Sequence, residues 1–159
     1  MKLVDILEPG RVIHRLQAKT KAEVLRELVD RGITPPEANT DLAVADTDQI
    51  VRVLEERERL GSTGIKDGLA IPHGKLERID QLVACLGLHG EGIDFGALDA
   101  QPSRIFIVLL APESAGGLHL KALARISRLF SDGAFHVRLL QAPDAAAVWR
   151  EIQIEDAKY

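Results

Sequence analysis

The sequence predicts an α/β domain in three layers, with helices on both faces of a sheet. Segments with apolar residues at helical spacing alternate with short, nearly continuous apolar runs of the kind that form strands buried on both faces. At 159 residues and 46% hydrophobic content, the chain has enough apolar surface for one core and little room for a second, so residues 1–159 read as a single domain. Turn residues separate the runs one by one, and no internal repeat, linker or low-complexity segment interrupts them.

The elements follow in order. "RVIHRLQA", Arg11 to Ala18, carries apolar groups on both faces and predicts a short strand. Thr20 followed by Glu23 is a capping-box pattern, and Leu25, Leu28 and Val29 continue at helical spacing until Gly32, where the helix is expected to end. "TPPEAN", Thr34 to Asn39, is a proline-marked loop. Asp46 with Gln49 predicts the cap of a second helix bearing Ile50, Val51 and Leu54 and stopping near Gly61. "LAI", Leu69 to Ile71, predicts a short strand, "QLVACLGLH" and "SRIFIVLLAP" predict long buried ones, and "EGIDF" adds a short strand between those two. From Gly117 to Phe130 the apolar stripe is Leu118, Ala122, Leu123, Ile126, Leu129 and Phe130, with His119 at its edge. Ser131 and Asp132 precede a short helix around Phe135 to Leu140, which Pro143 follows; Asp144 then caps a last helix that turns Ala145, Val148, Trp149 and Ile152 inward.

Charge and composition narrow the function. A net charge of −4 with the signs mixed along the chain offers no basic stripe for a phosphate backbone, which argues against nucleic acid as the main ligand. No apolar run approaches the roughly 18 residues that a membrane-spanning helix needs, and the N-terminus lacks a secretory pattern, so membrane insertion is not expected and the cytoplasm is the expected location. The single cysteine, Cys85, rules out an internal disulfide and sits in the apolar run "LVACLGL", where it reads as a buried structural thiol.

The unusual stretch is "LGSTGIKDGLAIPHGKLE", Leu60 to Glu77, in which glycines 61, 64, 68 and 74 allow sharp turns with exposed backbone N–H groups. Their spacing fits neither a P-loop nor a dinucleotide fingerprint. Pro72 fixes its own φ and extends Ile71, so His73 is expected at the end of a stiff strand with the small Gly74 beside it. A loop histidine is ordinarily a solvated side chain; one held this way also suits a group presented to a closely approaching reactant. His119 alone reads as a core histidine, Arg57 in "EERERL" as a solvated charge, and His14, His89 and His136 have no distinguishing context.

Taken together, "ERERLGSTGI", "GLAIPHGKLE" and, some forty residues later, "LHLKALARISRLF" resemble the enzyme IIA domain of the fructose and mannitol class of the bacterial phosphoenolpyruvate-dependent phosphotransferase system, its nitrogen-regulatory branch in particular. The resemblance extends over nearly the whole chain. It implies a central mixed β-sheet flanked by helices. It also implies that His73 accepts a phosphoryl group from a histidine-containing phosphocarrier protein, with His119 and Arg57 in support. "KDG" at Lys66 to Gly68 departs from the glycine-asparagine pair of many relatives and adds two charges to this stretch.

Chemically, an imidazole with an ordinary pKa near 6.5 is a nucleophile that needs no strong base, and phosphoryl transfer asks mainly for in-line positioning and for cations or N–H donors around the equatorial oxygens. Arg57, the Ser62 and Thr63 hydroxyls and the backbone of the turn through Gly64 are the candidate donors, with His119 as a further one. No metal or cofactor is called for. Two alternatives stand beside the nitrogen-type relay and regulator. One is a sugar-transport enzyme IIA that passes its phosphoryl group to an enzyme IIB. The other is a metal-dependent hydrolase using His73, His119 and an acid such as Asp67, which lacks a third ligand at recognisable spacing.

Overall fold

The computed structural model describes residues 1–34 and 46–159; the expected "TPPEAN" loop lies outside the described residues beyond Thr34. The strands are β1 (Val12–Ile13), β2 (Leu69–Ala70), β3 (His73–Leu76), β4 (Val83–Ile93) and β5 (Ser103–Pro112), and the α-helices are α1 (Lys21–Leu28), α2 (Thr47–Arg59), α3 (Gly117–Leu129), α4 (Gly133–Gln141) and α5 (Ala145–Asp156). The sheet is mixed: β1 lies parallel to β4, β4 antiparallel to β5, and β2 and β3 both parallel to β5.

Alternation along the two long strands builds the three layers. Ala84, Leu86 and Leu88 of β4 and Ile105, Ile107, Leu109 and Ala111 of β5 join the core formed with α3, α4 and α5. Cys85 of β4 and Phe106, Val108 and Leu110 of β5 point the other way, into the core formed with α1 and α2. Cys85 is fully buried there, and burial pushes its thiol up to about 12, so it is an inert packing group as expected. No helix among the described residues is long and apolar enough to cross a membrane.

The helix starts agree with the sequence in most cases. Thr20 accepts from the Glu23 N–H at 3.2 Å, Asp132 from the Ala134 N–H at 2.9 Å, and Asp144 from the Ala147 N–H at 2.8 Å. Asp46 stands at the start of α2 without a capping bond there; its carboxylate is held by Arg78. The first helix does not stop at Gly32. A π-helical turn over Val29–Ile33 carries it to Thr34, and the buried Arg11 guanidinium donates to the Gly32 and Ile33 carbonyls at 2.8 and 2.7 Å. Gly32 is needed for packing, since a Cβ there would lie 2.6 Å from the Cys85 Cβ.

Three strand expectations change. The first strand pairs only at Val12 and Ile13, although Leu16 still donates to Leu88 at 2.8 Å. "EGIDF" is no separate strand: β4 runs through to Ile93 with an irregularity after Leu88. His89 pins that irregularity, its Nε2 meeting the Ala18 carbonyl at 2.7 Å and its Nδ1 accepting from the Gly92 N–H at 2.9 Å. Lastly, β2 and β3 lie end to end in one register against β5, interrupted at Ile71 and Pro72, so His73 opens β3 where the sequence suggested the end of β2.

Gly74 lets α2 dock on this edge strand, because a Cβ at that position would meet Val53 Cγ1 at 2.5 Å. The room beside His73 is thus filled by the protein itself. Valine's branched side chain has little freedom to move aside, so Gly74→Ala should destabilise the fold by about 1–3 kcal/mol. Adding Val53→Ala should recover most of that loss in chemical denaturation. An unchanged midpoint for Gly74→Ala would show that this contact yields freely.

Candidate functional site

Alternation along the interrupted edge strand places His73 with Leu69 and Ile71 on the face toward α3, opposite the face on which Gly74 meets α2. His119 arrives from the first turn of α3. It is not at the edge of the stripe, as its sequence position suggested: His119, Ala122, Ile126 and Leu129 are the buried positions, and Leu118 is 44% exposed. The two imidazole rings lie 5.4 Å apart, centroid to centroid, and are tilted by 58°.

The His73 ring is oriented by its own backbone. Its Nδ1 is 2.7 Å from the Ile71 carbonyl, and since a carbonyl oxygen only accepts, Nδ1 carries the proton and Nε2 keeps its lone pair. Burial lowers the His73 pKa below the ordinary histidine range; the Ile71 carbonyl opposes that, the Arg57 charge adds to it, and the Glu58 charge opposes it. His119 is also lowered, by burial first and then by the charges of His73 and Lys75. Its Nδ1 is buried and has no hydrogen-bond partner among the described residues, a donor or acceptor still to be used.

Arg57 occupies the last turn of α2, where Nη1 donates to the Gly61 carbonyl at 2.8 Å and ties the guanidinium to the turn that follows. In place of the free donors expected at Ser62, Thr63 and Gly64, this turn holds groups engaged within the protein. Ser62 Oγ donates to the Phe95 carbonyl at 2.6 Å and accepts from the Gly64 N–H at 3.0 Å. The Thr63 N–H and hydroxyl both go to the Glu58 carboxylate. Arg57 and His119 remain as the side chains with capacity to meet an anion beside His73.

The other singled-out groups separate from this cluster. Lys66 and Asp67 are exposed, with Asp67 at a positive φ of 60°, ahead of the Leu69 end of the interrupted strand. The four residues from Leu69 to His73 span about 13 Å, so the two charges of "KDG" sit well away from the imidazole pair. Asp67 is therefore not the third member of a set with His73 and His119, and among the described residues no three His, Cys, Asp or Glu side chains group to hold a metal ion. His14 meets the Ala142 carbonyl at 2.6 Å, and His136 the Phe130 and Asp67 carbonyls at 2.6 and 3.1 Å, both structural contacts. Sequence reasoning missed Glu58, Lys21 and Lys75. The first lay within a charge run and the others among ordinary surface lysines, so no local signal marked them.

Comparison with known proteins places these features in a family context. The family model described as "Phosphoenolpyruvate-dependent sugar phosphotransferase system, EIIA 2" matches residues 5–154. The chain is 34% identical over 157 residues to a nitrogen regulatory protein of Bradyrhizobium diazoefficiens, covering 99% of this chain and 98% of that one. It is 33% identical over 151 residues to a nitrogen regulatory protein of Pseudomonas aeruginosa, covering 94% of each. In three dimensions it resembles the crystal structure of nitrogen regulatory protein IIA-Ntr from Neisseria meningitidis, with a TM-score of 0.80 at 27% identity over 93% of this chain and 97% of that one.

Proposed function

The chain belongs to the EIIA 2 family of the phosphoenolpyruvate-dependent sugar phosphotransferase system, and we propose that it is the phosphohistidine relay and regulatory protein of a nitrogen-type branch, working in the cytoplasm. In this reading His73 takes a phosphoryl group from a histidine-containing phosphocarrier protein, and partner proteins respond to whether His73 carries it. The observation that supports this best is the 2.7 Å contact between Nδ1 and the Ile71 carbonyl, which leaves one ring nitrogen as the nucleophile.

The transfer balances without a cofactor. The Nε2 lone pair of His73 attacks phosphorus in line, the phosphorus–nitrogen bond to the carrier breaks, and its electron pair returns to the carrier's ring nitrogen. As Nε2 bonds to phosphorus the ring gains positive character, and the Ile71 carbonyl stabilises it by accepting the Nδ1–H. Arg57 and His119 meet the charge spread over the equatorial oxygens. The product carries close to two added negative charges, which a protein docking over this face reads as both bulk and charge.

Incubation with phosphoenolpyruvate and the general phosphotransferase proteins of the same cell, followed by intact-mass measurement, tests the relay: a gain of one phosphoryl group is expected, and none would end the reading. Onward transfer to a purified sugar-specific enzyme IIB would assign the protein to sugar transport instead of regulation.

Acid should inhibit the transfer later than an ordinary histidine would. Only the neutral ring is nucleophilic, so the rate falls as pH drops through the His73 pKa, and with that pKa lowered by burial the midpoint should lie below about 6.5. Arg57→Ala removes a positive charge that disfavours protonation and should move the midpoint upward. A wild-type midpoint above the ordinary histidine value would contradict this electrostatic account.

A further inference from the structure

Beneath the Gly61 to Thr63 turn lies a carboxylate that this chemistry does not use. Glu58, in the last turn of α2, is only 8% exposed. Its Oε1 accepts the Thr63 N–H at 3.0 Å and its Oε2 accepts the Thr63 hydroxyl in a short bond. Lys21, at the start of α1, reaches Oε1 at 2.9 Å and also donates to the Phe95 carbonyl at 3.3 Å, the oxygen that accepts the Ser62 hydroxyl.

From Thr63 the connections run to the reacting ring. The Thr63 carbonyl accepts the Ile71 N–H at 3.1 Å, and the Ile71 carbonyl accepts the His73 Nδ1–H at 2.7 Å. The peptide between Ile71 and Pro72 has no N–H of its own to anchor it, because its nitrogen belongs to proline. Its orientation depends on the groups on either side: the Ile71 N–H on Thr63, and the Pro72 carbonyl, which accepts from Leu109 at 3.0 Å. One of these two anchors is only as firm as Thr63, and Thr63 is fastened to Glu58 by charge-assisted bonds.

We propose that Glu58, with Lys21 as its counter-ion, is a positioning residue for the transfer: it sets the tautomer of His73 by fixing the carbonyl that holds Nδ1–H. This rests on the reading of His73 as the phosphoryl acceptor. Neutral histidine in solution favours the opposite, Nε2–H form, in which the nitrogen assigned to attack would carry a proton and have no lone pair to offer. The Ile71 carbonyl reverses that preference, and it does so only while it is aimed at the ring. The Glu58 charge acts in the same direction through space, since it favours positive character on the imidazole as attack proceeds.

Loss of the carboxylate should leave the fold in place. An open cleft of about 320 Å³, lined by Lys21, Ala22, Leu25, Glu55, Glu58 and Arg59, gives water access to Lys21, so the lysine is solvated and not stranded. The full chain is to be compared as wild type, Glu58→Gln and Glu58→Ala. Nitrogen-resolved NMR of His73 well above the histidine titration range gives the tautomer ratio, and the initial rate of transfer from the phosphorylated carrier gives its consequence. In Glu58→Ala the ratio should move toward Nε2–H by roughly 5- to 10-fold, the change that one net hydrogen bond commands, and the rate should fall in step with the fraction of rings left in the Nδ1–H form. Glu58→Gln keeps one acceptor for the Thr63 N–H and should fall between wild type and alanine. It also carries the test if the alanine variant does not fold. An unchanged tautomer ratio in either folded variant overturns the proposal, whatever happens to the rate, and so does a rate that fails to follow the measured fraction of the Nδ1–H form. If wild-type His73 takes up no phosphoryl group at all, the functional reading fails separately, and the tautomer ratio still decides whether Glu58 governs the ring.

Discussion

His73→Ala abolishes phosphoryl acceptance while the protein stays folded; both halves of that expectation follow from the geometry. The variant lacks the His73 Nε2 lone pair, and the nearest alternatives are not equipped to replace it. Ser62 and Thr63 hydroxyls already donate to Phe95 and Glu58, and His119 is a buried ring where His73 is half-buried. Among the described residues the fold loses only one hydrogen bond, to the Ile71 carbonyl, from a half-buried residue on an edge strand, so circular dichroism and the denaturation midpoint should change little. In the wild type the modification should be labile in acid, because protonating the bridging nitrogen weakens its bond to phosphorus. A product that survives warm acid, or a His73→Ala protein that still gains a phosphoryl group at the wild-type rate, would remove His73 from the mechanism.

Arg57→Ala and His119→Ala should each slow the transfer by about 10²-fold without abolishing it, the loss typical of one removed donor to developing charge. Arg57 spends one N–H on the Gly61 carbonyl and keeps the rest of its fork for an anion. Its place at the end of α2 gives it a second task, since that bond also holds the turn carrying Thr63. His119 contributes a ring 5.4 Å from His73 with one nitrogen unpartnered. Because neither residue supplies the nucleophile, His73 should still reach full phosphorylation in both variants, only later, as single-turnover transfer from the phosphorylated carrier will measure. Normal rates in both would mean that charge stabilisation comes from elsewhere, and a complete loss in either would give that residue a covalent or structural task beyond the one assigned.

Much of the fold was legible in the sequence because its signals are local. The Thr20, Asp132 and Asp144 caps each bond a backbone N–H two or three residues away, and the apolar runs of β4 and β5 announce strands buried on both faces. Pro72 marked His73 as a residue on a stiff backbone, since proline's restriction acts on its immediate neighbours whatever surrounds them. The same local reading erred where a residue answers to a distant partner. Gly32 looked like a helix stop, but its missing Cβ accommodates Cys85, and the room at Gly74 belongs to Val53. Asp46 looked like a cap and is held by Arg78.

The residue types at the site, and the stiff backbone that carries His73, were thus determined by the sequence alone. Tertiary structure decided their relations: that His119 faces His73, that Ser62 and Thr63 have their hydroxyls engaged, that Asp67 stands apart, and which ring nitrogen of His73 keeps its lone pair. Each of these depends on the register of the edge strand against β5 and on which helix the sheet's pleat turns each side chain toward. Pairs such as Lys21 with Glu58, or Ser62 with Phe95, come from segments far apart in the chain and meet only once that register is set. Caps and turns are bonds across a few residues and can be read one segment at a time; a tautomer fixed through Thr63 and Ile71 exists only when the strand, the turn and the helix end are packed together.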